Sequence, residues 1–128
     1  MKEQDLIRVA LEAREYAYAP YSKFRVGAAL LCRDGKVYTG CNIENATYGA
    51  TVCAERTAVF KAVSEGQREF ALLAVVSDSG DYTRPCGICR QVLAEFCPDS
   101  FPILMCNKDG GYVKKILGEL MPEAFRLT

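Results

Sequence analysis

The amino-acid sequence predicts an α/β fold, a three-layer α-β-α sandwich with a mixed sheet of about five strands. Along the chain, apolar residues alternate between helical and strand spacing in the order α-β-β-α-β-α-β-β. The segment from Phe70 to Val76 is almost entirely apolar, which is typical of a central strand buried on both faces. The length of 128 residues suits a single core, so we expect residues 1–128 to form one domain.

The first half of the chain is divided by clear turn and helix-end signals. Pro20 ends an amphipathic helical pattern, and Arg33-Asp34-Gly35-Lys36 supplies the turn of a β-hairpin. A polar loop over residues 42–50 leads into a second helix, which Gly66 closes. The predicted elements are, in order, a helix over residues 5–18, strands over 24–32 and 37–41, and a helix over about 51–65.

The second half continues the alternation of strand and helix. Pro98 ends a helix, and the turn Lys108-Asp109-Gly110-Gly111 separates two strands. The predicted elements are a strand over residues 70–76, a helix over 86–96, strands over 102–106 and 112–116, and a short helix around 118–121. The helices over 51–65 and 86–96 each follow a strand. Their first residues therefore lie at strand carboxyl ends, where α/β proteins usually form their sites.

The candidate metal ligands begin these two helices. Cys53 is followed by Ala54 and Glu55, and the second helix opens with Pro85-Cys86-Gly87-Ile88-Cys89. The chain contains no histidine, so a transition-metal site must use thiolates. Soft thiolate ligands favour zinc, and a catalytic zinc site has three protein ligands and one open position. The sequence therefore predicts a catalytic Zn²⁺ held by Cys53, Cys86 and Cys89.

The spacing within these segments supports a catalytic role. Cys86 and Cys89 are three residues apart, so on a helix both sulfurs lie on one face. Pro85 suits the first turn of a helix, and helix N-termini favour the thiolate form of cysteine. Glu55 lies two residues after a ligand and off its face, where a non-ligand carboxylate can move protons. This Cys-x-Glu…Pro-Cys-x-x-Cys pattern matches the signature of zinc deaminases that act on nucleobases.

Another interpretation of Cys-x-x-Cys is a structural zinc site or a redox pair. A structural site made only of cysteines needs a fourth thiolate. The candidates are Cys32, Cys41, Cys97 and Cys106. Each lies in an apolar or mixed segment and is more simply interpreted as a small buried hydrophobic residue.

Charge and hydropathy exclude several classes of partner. Sixteen basic residues balance sixteen acidic ones, without a basic stripe that would attract a nucleic-acid polymer. We therefore expect a small-molecule substrate. No stretch approaches the ~18 apolar residues of a membrane span, and charges interrupt the N-terminal apolar run, so we expect neither a membrane partner nor a signal peptide. Seven cysteines without a signal peptide favour the reducing cytoplasm.

Five segments together are typical of one known family: Ala19-Pro20-Tyr21-Ser22-Lys23-Phe24, Val26-Gly27-Ala28-Ala29-Leu30, Gly40-Cys41-Asn42-Ile43-Glu44-Asn45, Cys53-Ala54-Glu55-Arg56-Thr57-Ala58 and Pro85-Cys86-Gly87-Ile88-Cys89-Arg90-Gln91. On these segments, nearly the whole chain resembles the cytidine deaminases of the short, homotetrameric, three-cysteine type. The resemblance has consequences for fold, metal and reaction. It implies a cytidine deaminase-like fold and one Zn²⁺ per chain. The implied enzyme is a hydrolase acting on a cyclic amidine C–N bond. It would convert cytidine and deoxycytidine to uridine and deoxyuridine with release of ammonia, in pyrimidine salvage.

The chemistry expected from this resemblance centres on Glu55. Zinc makes hydroxide available at neutral pH for attack on C4 of the pyrimidine. Glu55 would take the proton from water, pass it to ring N3 and later protonate the departing amine. Three thiolates around Zn²⁺ leave a net charge of −1, which disfavours ionisation of water. Arg56 lies three residues after Cys53, and both this spacing and the resemblance imply that it hydrogen-bonds ligand sulfurs and draws off their charge.

The same resemblance implies a set of substrate contacts. Asn42 and Glu44 would bind the ribose 3′-hydroxyl, while Phe24 and Tyr48 would wall the base and the sugar. The Ala54 N–H, at a helix start, is placed to hold the pyrimidine 2-carbonyl. In the implied homotetramer, a neighbouring subunit would cover the base with Phe125. A C-terminal tail folded back on its own domain is the alternative for that residue.

Two other functions are compatible with these motifs. One is a deaminase of another cytosine nucleoside, such as a blasticidin-type antibiotic, whose zinc motifs are nearly the same. The loop Asn42-Ile43-Glu44-Asn45 and the segment Ser22-Lys23-Phe24 favour cytidine over that alternative. The other is a non-catalytic module that zinc stabilises, in which Glu55 would be incidental.

Overall fold

A computed structural model describes residues 1–128 and confirms the predicted α/β sandwich. The helices are α1 (Glu3–Arg14), α2 (Ala54–Ser64), α3 (Gly87–Phe96) and α4 (Leu117–Leu120). The strands are β1 (Val26–Cys32), β2 (Val37–Cys41), β3 (Phe70–Ser77), β4 (Pro102–Cys106) and β5 (Tyr112–Ile116). A short 3₁₀ turn, Tyr48–Ala50, precedes α2. None of the helices is both long and apolar enough to cross a membrane.

All strands belong to one mixed sheet with the order β2-β1-β3-β4-β5. Only β3 and β4 pair in parallel, with Leu73 opposite Ile103, whereas the other neighbouring strands are antiparallel. Two antiparallel steps separate β2 from β3, so these strands run in the same direction. Their carboxyl ends therefore lie at the same edge of the sheet, and both cysteine-bearing helices follow from that edge.

The helices cover both faces of the sheet and bury two apolar clusters. Alternation along β3 directs Leu72, Ala74 and Val76 toward α1, and directs Leu73 toward α2 and α3. The central strand is thus buried on both faces, as its apolar sequence predicts. Burial of these clusters fixes α2 and α3 side by side on one face. The starts of these two helices consequently meet at the sheet edge.

Gly40 allows β2 to approach the first turn of α2 closely. A Cβ atom at this position would lie 2.2 Å from the backbone oxygen of Ala54 and 2.6 Å from the nitrogen of Ala58. Such distances are shorter than any ordinary contact, so a side chain here would force the helix away from the sheet. Glycine at position 40 therefore allows α2, which Cys53 immediately precedes, to pack directly against β2.

Two helix boundaries differ from the predicted ones by three residues or more, because of long-range backbone pairing. Helix α1 ends at Arg14 instead of residue 18, since the N–H of Tyr18 donates to the Asn42 oxygen at 2.9 Å. Helix α2 begins at Ala54 instead of residue 51, because Val52 is in an extended bridge with Ile43, with N···O distances of 3.0 Å. The bridge between Ile43 and Val52 lies immediately before α2. It therefore fixes the position of the chain that leads into Cys53.

Candidate metal centre and active site

The sulfurs of Cys53, Cys86 and Cys89 converge at the shared edge of the sheet. Cys53 and Cys86 lie 3.7 Å apart, Cys86 and Cys89 lie 3.5 Å apart, and all three sulfurs are within 4.8 Å of one another. Tetrahedral zinc with Zn–S bonds of about 2.3 Å requires sulfur–sulfur separations of about 3.8 Å. The three cysteines are therefore positioned to bind one metal ion, and the donor set suits zinc.

Local sequence explains why the sulfurs meet there. Cys53 and Cys86 are the extended residues that immediately precede α2 and α3, with ψ angles of 158° and 169°. Cys89 lies one turn into α3. The first backbone N–H groups of each helix have no partner within the helix, and the positive end of its dipole lies there. Two helix starts thus surround the sulfurs with partial positive charge, which favours thiolates.

Arg56 adds a full positive charge to this group, as the spacing predicts. Its Nη2 donates to the Cys53 sulfur at 3.3 Å, while its buried Nε has no hydrogen-bond partner. Hydrogen bonding from the Cys89 thiol and from Arg56 lowers the pKa of Cys53 to about 5. The pKa of Cys89 is raised, chiefly because its thiol interacts with the Cys53 sulfur. The site therefore already stabilises negative charge on sulfur, as a metal site built from thiolates requires.

The other four cysteines lie away from this centre. Cys32, Cys97 and Cys106 are buried, Cys41 is half-buried, and none joins the group of three sulfurs. Burial raises the pKa of both Cys97 and Cys106 to about 12, which disfavours the thiolate form that metals bind. The structure therefore contains no fourth thiolate that could close the site. This absence argues against the structural type of zinc site made of four cysteines.

Glu55 lies buried beside the three cysteines, on the second residue of α2. Only 4% of its surface is exposed. Burial raises the pKa of its carboxyl group to about 7. Glu55, Cys53 and Cys86 all line one cavity of about 210 Å³, here called the catalytic cavity. A carboxyl group with a pKa near neutrality can both accept and release a proton in such a cavity.

Five of the six predicted substrate residues line two adjoining cavities. Phe24, Asn42 and Ala54 line the catalytic cavity. Glu44 and Tyr48 line a second, more open cavity of about 400 Å³, here called the neighbouring cavity. Thr51 lines both, so the two cavities are in contact. Phe125 lines neither. The residue is 68% exposed, and its backbone oxygen accepts a hydrogen bond from Gln91 Nε2 at 2.9 Å.

Asn42 and Glu44 each hold a segment of backbone at the cavity walls. The Asn42 side chain accepts a hydrogen bond from the Val26 N–H at 2.9 Å and donates to the Phe24 oxygen at 2.8 Å. The Glu44 carboxylate accepts from the N–H groups of Tyr21 and Ser22 at 3.0 and 3.1 Å, and also from the Ser22 hydroxyl. The Ser22 hydroxyl and backbone lower the pKa of Glu44, so it remains a carboxylate. Both side chains are thus fixed in position before any ligand arrives.

Sequence reasoning missed part of the cavity wall. The additional lining residues are Val26, Thr51, Val52, Thr83 and Arg84. Val52 directly precedes Cys53, and Val26 and Thr51 lie two residues from Phe24 and Cys53, so proximity to a motif is one signal that could have identified these three. Thr83 and Arg84 precede Pro85, but their presence in the wall depends on how the loop after β3 returns to the site.

We expect Arg56→Ala to lower activity or zinc affinity by ~10–100-fold, because partners of metal ligands contribute about that much. The loss follows from removing the only guanidinium hydrogen-bonded to the Cys53 sulfur. Zinc titration against a competing chelator and steady-state kinetics would measure it. Lys61→Ala is a matched control, since Lys61 lies on the same helix and its Nζ donates to the Thr39 oxygen instead. Equal zinc affinity and turnover in Arg56→Ala and Lys61→Ala would contradict the expectation.

Residues 1–105 match the family described as the cytidine and deoxycytidylate deaminase zinc-binding region. A cytidine deaminase of Sporosarcina psychrophila is 54% identical over 125 residues, covering 98% of this chain and 92% of that protein. One from Halalkalibacterium halodurans is also 54% identical, covering 98% and 95%. A blasticidin-S deaminase of Bacillus cereus is 34% identical over 129 residues, covering 94% and 90%.

Solved structures agree with these sequence relationships. The crystal structure of cytidine deaminase from Burkholderia pseudomallei superposes with a TM-score of 0.94 at 49% identity, covering 98% of this chain and 100% of that one. Cytidine deaminase from Mycobacterium tuberculosis superposes with a TM-score of 0.85 at 42% identity, covering 99% of each chain. The fold and the sequence therefore match the same class of protein over nearly their full lengths.

Proposed function

The chain belongs to the cytidine and deoxycytidylate deaminase family, and we propose that residues 1–128 work as one domain that deaminates cytidine and deoxycytidine by hydrolysis. The products are uridine or deoxyuridine and ammonia. The observation that carries this function is the catalytic cavity itself, where Glu55 lies beside Cys53 and Cys86. This arrangement occurs in a chain 54% identical to a cytidine deaminase.

Cys53, Cys86 and Cys89 would hold one zinc ion per chain. When bound, zinc acts as a Lewis acid and makes hydroxide available at neutral pH. Arg56 hydrogen-bonds the Cys53 sulfur and reduces the negative charge that three thiolates bring to the site. Asn42, Ala54 and Glu55 are the buried part of the cavity lining, and the low dielectric of a buried environment strengthens electrostatic interactions there.

Glu55 would carry the protons of the reaction. Its carboxylate accepts a proton from the attacking water, which forms the new C4–O bond, and delivers that proton to ring N3. The same group then takes the proton of the new hydroxyl on C4 and delivers it to the amino nitrogen, so that the C4=O bond forms as the C4–N bond breaks and ammonia leaves. Its near-neutral pKa supports both directions of transfer. A buried carboxylate with this pKa in a cavity also favours an enzyme over a non-catalytic zinc-stabilised module.

The two adjoining cavities suit the two parts of a nucleoside. We assign the pyrimidine to the catalytic cavity, with Phe24 at its wall and the free Ala54 N–H at the helix start facing the 2-carbonyl. We assign the sugar to the junction with the neighbouring cavity, where Asn42, Glu44 and Tyr48 would contact it. The fixed carboxylate of Glu44 is an acceptor suited to the 3′-hydroxyl. The side chains of Asn42 and Glu44 are already held by hydrogen bonds, which lowers the entropic cost of ordering them when a ligand binds.

An ultraviolet assay of the purified protein tests this function directly. The substrates are cytidine, deoxycytidine, free cytosine and blasticidin S, each at the same concentration. We expect rapid conversion of the first two. Preferential turnover of blasticidin S would assign the chain to that neighbouring specificity, which a 34% identical relative represents. Zinc-loaded protein without turnover of any of the four would overturn the enzymatic assignment.

We expect Glu44→Ala to raise KM for cytidine much more than it changes zinc content, because the carboxylate lies outside the group of three sulfurs. A site built to hydrogen-bond a hydroxyl group strongly rejects compounds that lack it, so free cytosine should be a very poor substrate. Steady-state kinetics and metal analysis measure both effects. Glu95→Ala, which removes an exposed acid on α3, is the control. Efficient deamination of free cytosine by the unaltered protein would rule out recognition of ribose.

We further propose a homotetramer in which a neighbouring subunit covers the bound base with Phe125. Phe125 is largely exposed, while Gln91 and Arg126 bond the tail to α3, so the ring is held at the surface in a defined place. Aromatic stacking on a pyrimidine would contribute ~0.5–1.5 kcal/mol. Exposed aromatic side chains at Tyr16, Tyr48 and Phe60 provide apolar surface for contact between subunits.

Assembly has a test of its own. Light scattering should give a mass near four chains of 14.1 kDa each. Phe125→Ala should raise KM for cytidine while the zinc content stays unchanged, because the ring lies outside the metal centre. Ile116→Ala, which removes an exposed apolar side chain on β5, is the control. A fully active monomer would contradict the proposed assembly.

The reducing cytoplasm is the compartment we propose for this activity, in the salvage of pyrimidine nucleosides. All seven cysteines are free thiols, and three of them must stay reduced to bind zinc. Oxidation would join neighbouring sulfurs of the metal centre and remove the ligands. The activity therefore depends on an environment that keeps thiols reduced.

A further inference from the structure

Two walls of the catalytic cavity come from segments that are distant in sequence. Phe24 and Val26 form part of one wall, at the start of β1. Thr83, Arg84 and Cys86 form part of the other, at the end of the loop that follows β3. The reactive groups Cys53 and Glu55 belong to α2, between these walls. The width of the cavity therefore depends on whatever fixes the β1 start to the loop after β3.

Asp78, the first residue of that loop, makes this connection. Its Oδ2 accepts hydrogen bonds from the backbone N–H and the Nε of Arg25, at 3.0 and 3.1 Å. Its Oδ1 accepts from Arg25 Nη2 at 3.1 Å. The Asp78 N–H also donates to the Arg25 oxygen at 3.1 Å. Arg25 stands between the wall residues Phe24 and Val26, so this fork of hydrogen bonds joins one wall to the loop that forms the other.

The loop is anchored at both of its ends. At its start, Arg14 Nη1 donates to the Ser77 oxygen at 3.1 Å and lies 3.8 Å from Asp78 Oδ1. At its end, the N–H and the hydroxyl of Thr83 both donate to the Cys106 oxygen, at 3.0 and 2.7 Å. Neither Asp78 nor Arg14 lines the catalytic cavity. The contacts of Asp78 and Arg14 therefore hold the start of the loop from outside the space that a substrate would occupy.

We propose that Asp78 is a positioning residue for the deamination, setting the separation of the two cavity walls through its fork of hydrogen bonds to Arg25. The inference rests on the function proposed above. Phe24 lines the part of the cavity assigned to the pyrimidine, whereas Cys53 and Glu55 are positioned by α2 and Cys89 by α3. A wider cavity should therefore weaken substrate binding more than it slows the chemical step, so that KM carries most of the loss.

The test compares Asp78→Asn with Glu15→Gln in the zinc-loaded protein. Asparagine offers one acceptor oxygen in place of two and no charge, so the fork to Arg25 is lost. Glu15 contacts the same guanidinium through Arg25 Nη1 but makes no contact with the loop. We expect ~10–10²-fold lower kcat/KM in Asp78→Asn, mostly in KM, because small misplacements remote from the chemistry have effects of that size. Zinc should remain at one ion per chain, and Glu15→Gln should behave as the unaltered protein.

Arg25→Lys provides a second variant in case Asp78→Asn does not fold. Lysine keeps the charge and loses the planar fork, so it should raise KM in the same direction. Unchanged KM and kcat in the folded variants, even with a lower melting temperature, would show a purely structural ion pair and overturn the inference. An equal rise of KM in Glu15→Gln would overturn it too. Lack of activity in the unaltered protein would instead overturn the proposed function, and this inference with it.

Discussion

Glu55→Gln is expected to bind zinc, fold normally and lose ~10²–10⁴-fold in kcat for cytidine, since general acid–base catalysis contributes about that much. Glutamine has nearly the same shape as glutamate, but its amide cannot take a proton from water. The carboxyl group serves more than one proton transfer, so the upper part of this range is expected. Steady-state kinetics with metal analysis on the same sample measures the effect.

The melting temperature of Glu55→Gln distinguishes a loss of catalysis from damage to the fold. Glu55 is almost completely buried, and burial of its charged form is unfavourable, as its raised pKa indicates. A neutral amide at the same place should therefore leave the melting temperature unchanged or higher. Glu65→Gln, at the exposed end of the same helix, is the matched control. A Glu55→Gln protein within about tenfold of normal kcat would exclude this residue as the proton carrier, being below the range for such catalysis.

Strands β2, β4 and β5 could be predicted to the residue because their signals are local. Strand β1 begins at Val26 instead of residue 24, because the Phe24 oxygen accepts from the Asn42 side chain and not from a strand partner. Two glycines with positive φ, Gly35 at 94° and Gly110 at 90°, lie in the turns that precede β2 and β5. A turn of this kind fixes where each adjoining strand ends. The predictions of where α1 ends and where α2 begins were less accurate, because the pairing of Ile43 with Tyr18 and Val52 depends on contacts between distant segments. Helical periodicity carries no information about such a bridge.

The site shows the same division between local and tertiary information. The grouping of Cys53, Cys86 and Cys89 follows from local helix starts combined with the sheet order, so their spacing was enough to predict it. The contact between Arg56 and Cys53 is likewise within one helical turn. Asp78 and Thr83 could not be identified, because their relation to the cavity arises only when the loop after β3 returns beside β1. The separation of Asn42 and Glu44 into adjoining cavities also depends on backbone direction in a loop.

Cys86→Ala should have the other large effect, because it removes a zinc ligand without disturbing the core. Cys86 is exposed, lies just before α3, and contributes one of three sulfurs to the centre. Two thiolates hold zinc far less firmly than three, so metal content should fall from near one ion per chain to a small fraction. Even partners of metal ligands contribute ~10–100-fold to affinity or activity, so loss of a ligand itself should cost at least ~10²-fold in turnover.

Cys41→Ala is the matched control for this variant, since Cys41 is a half-buried thiol outside the three-sulfur group. It should keep its zinc and its activity. Added zinc should not restore Cys86→Ala, because alanine offers no ligand atom, whereas unaltered protein stripped by a chelator should regain activity on reloading. Restoration of the stripped protein together with failure of Cys86→Ala would tie turnover to this thiolate. Retention of a full zinc ion by Cys86→Ala would contradict the assignment, because the remaining thiolates would then have to hold the metal without Cys86.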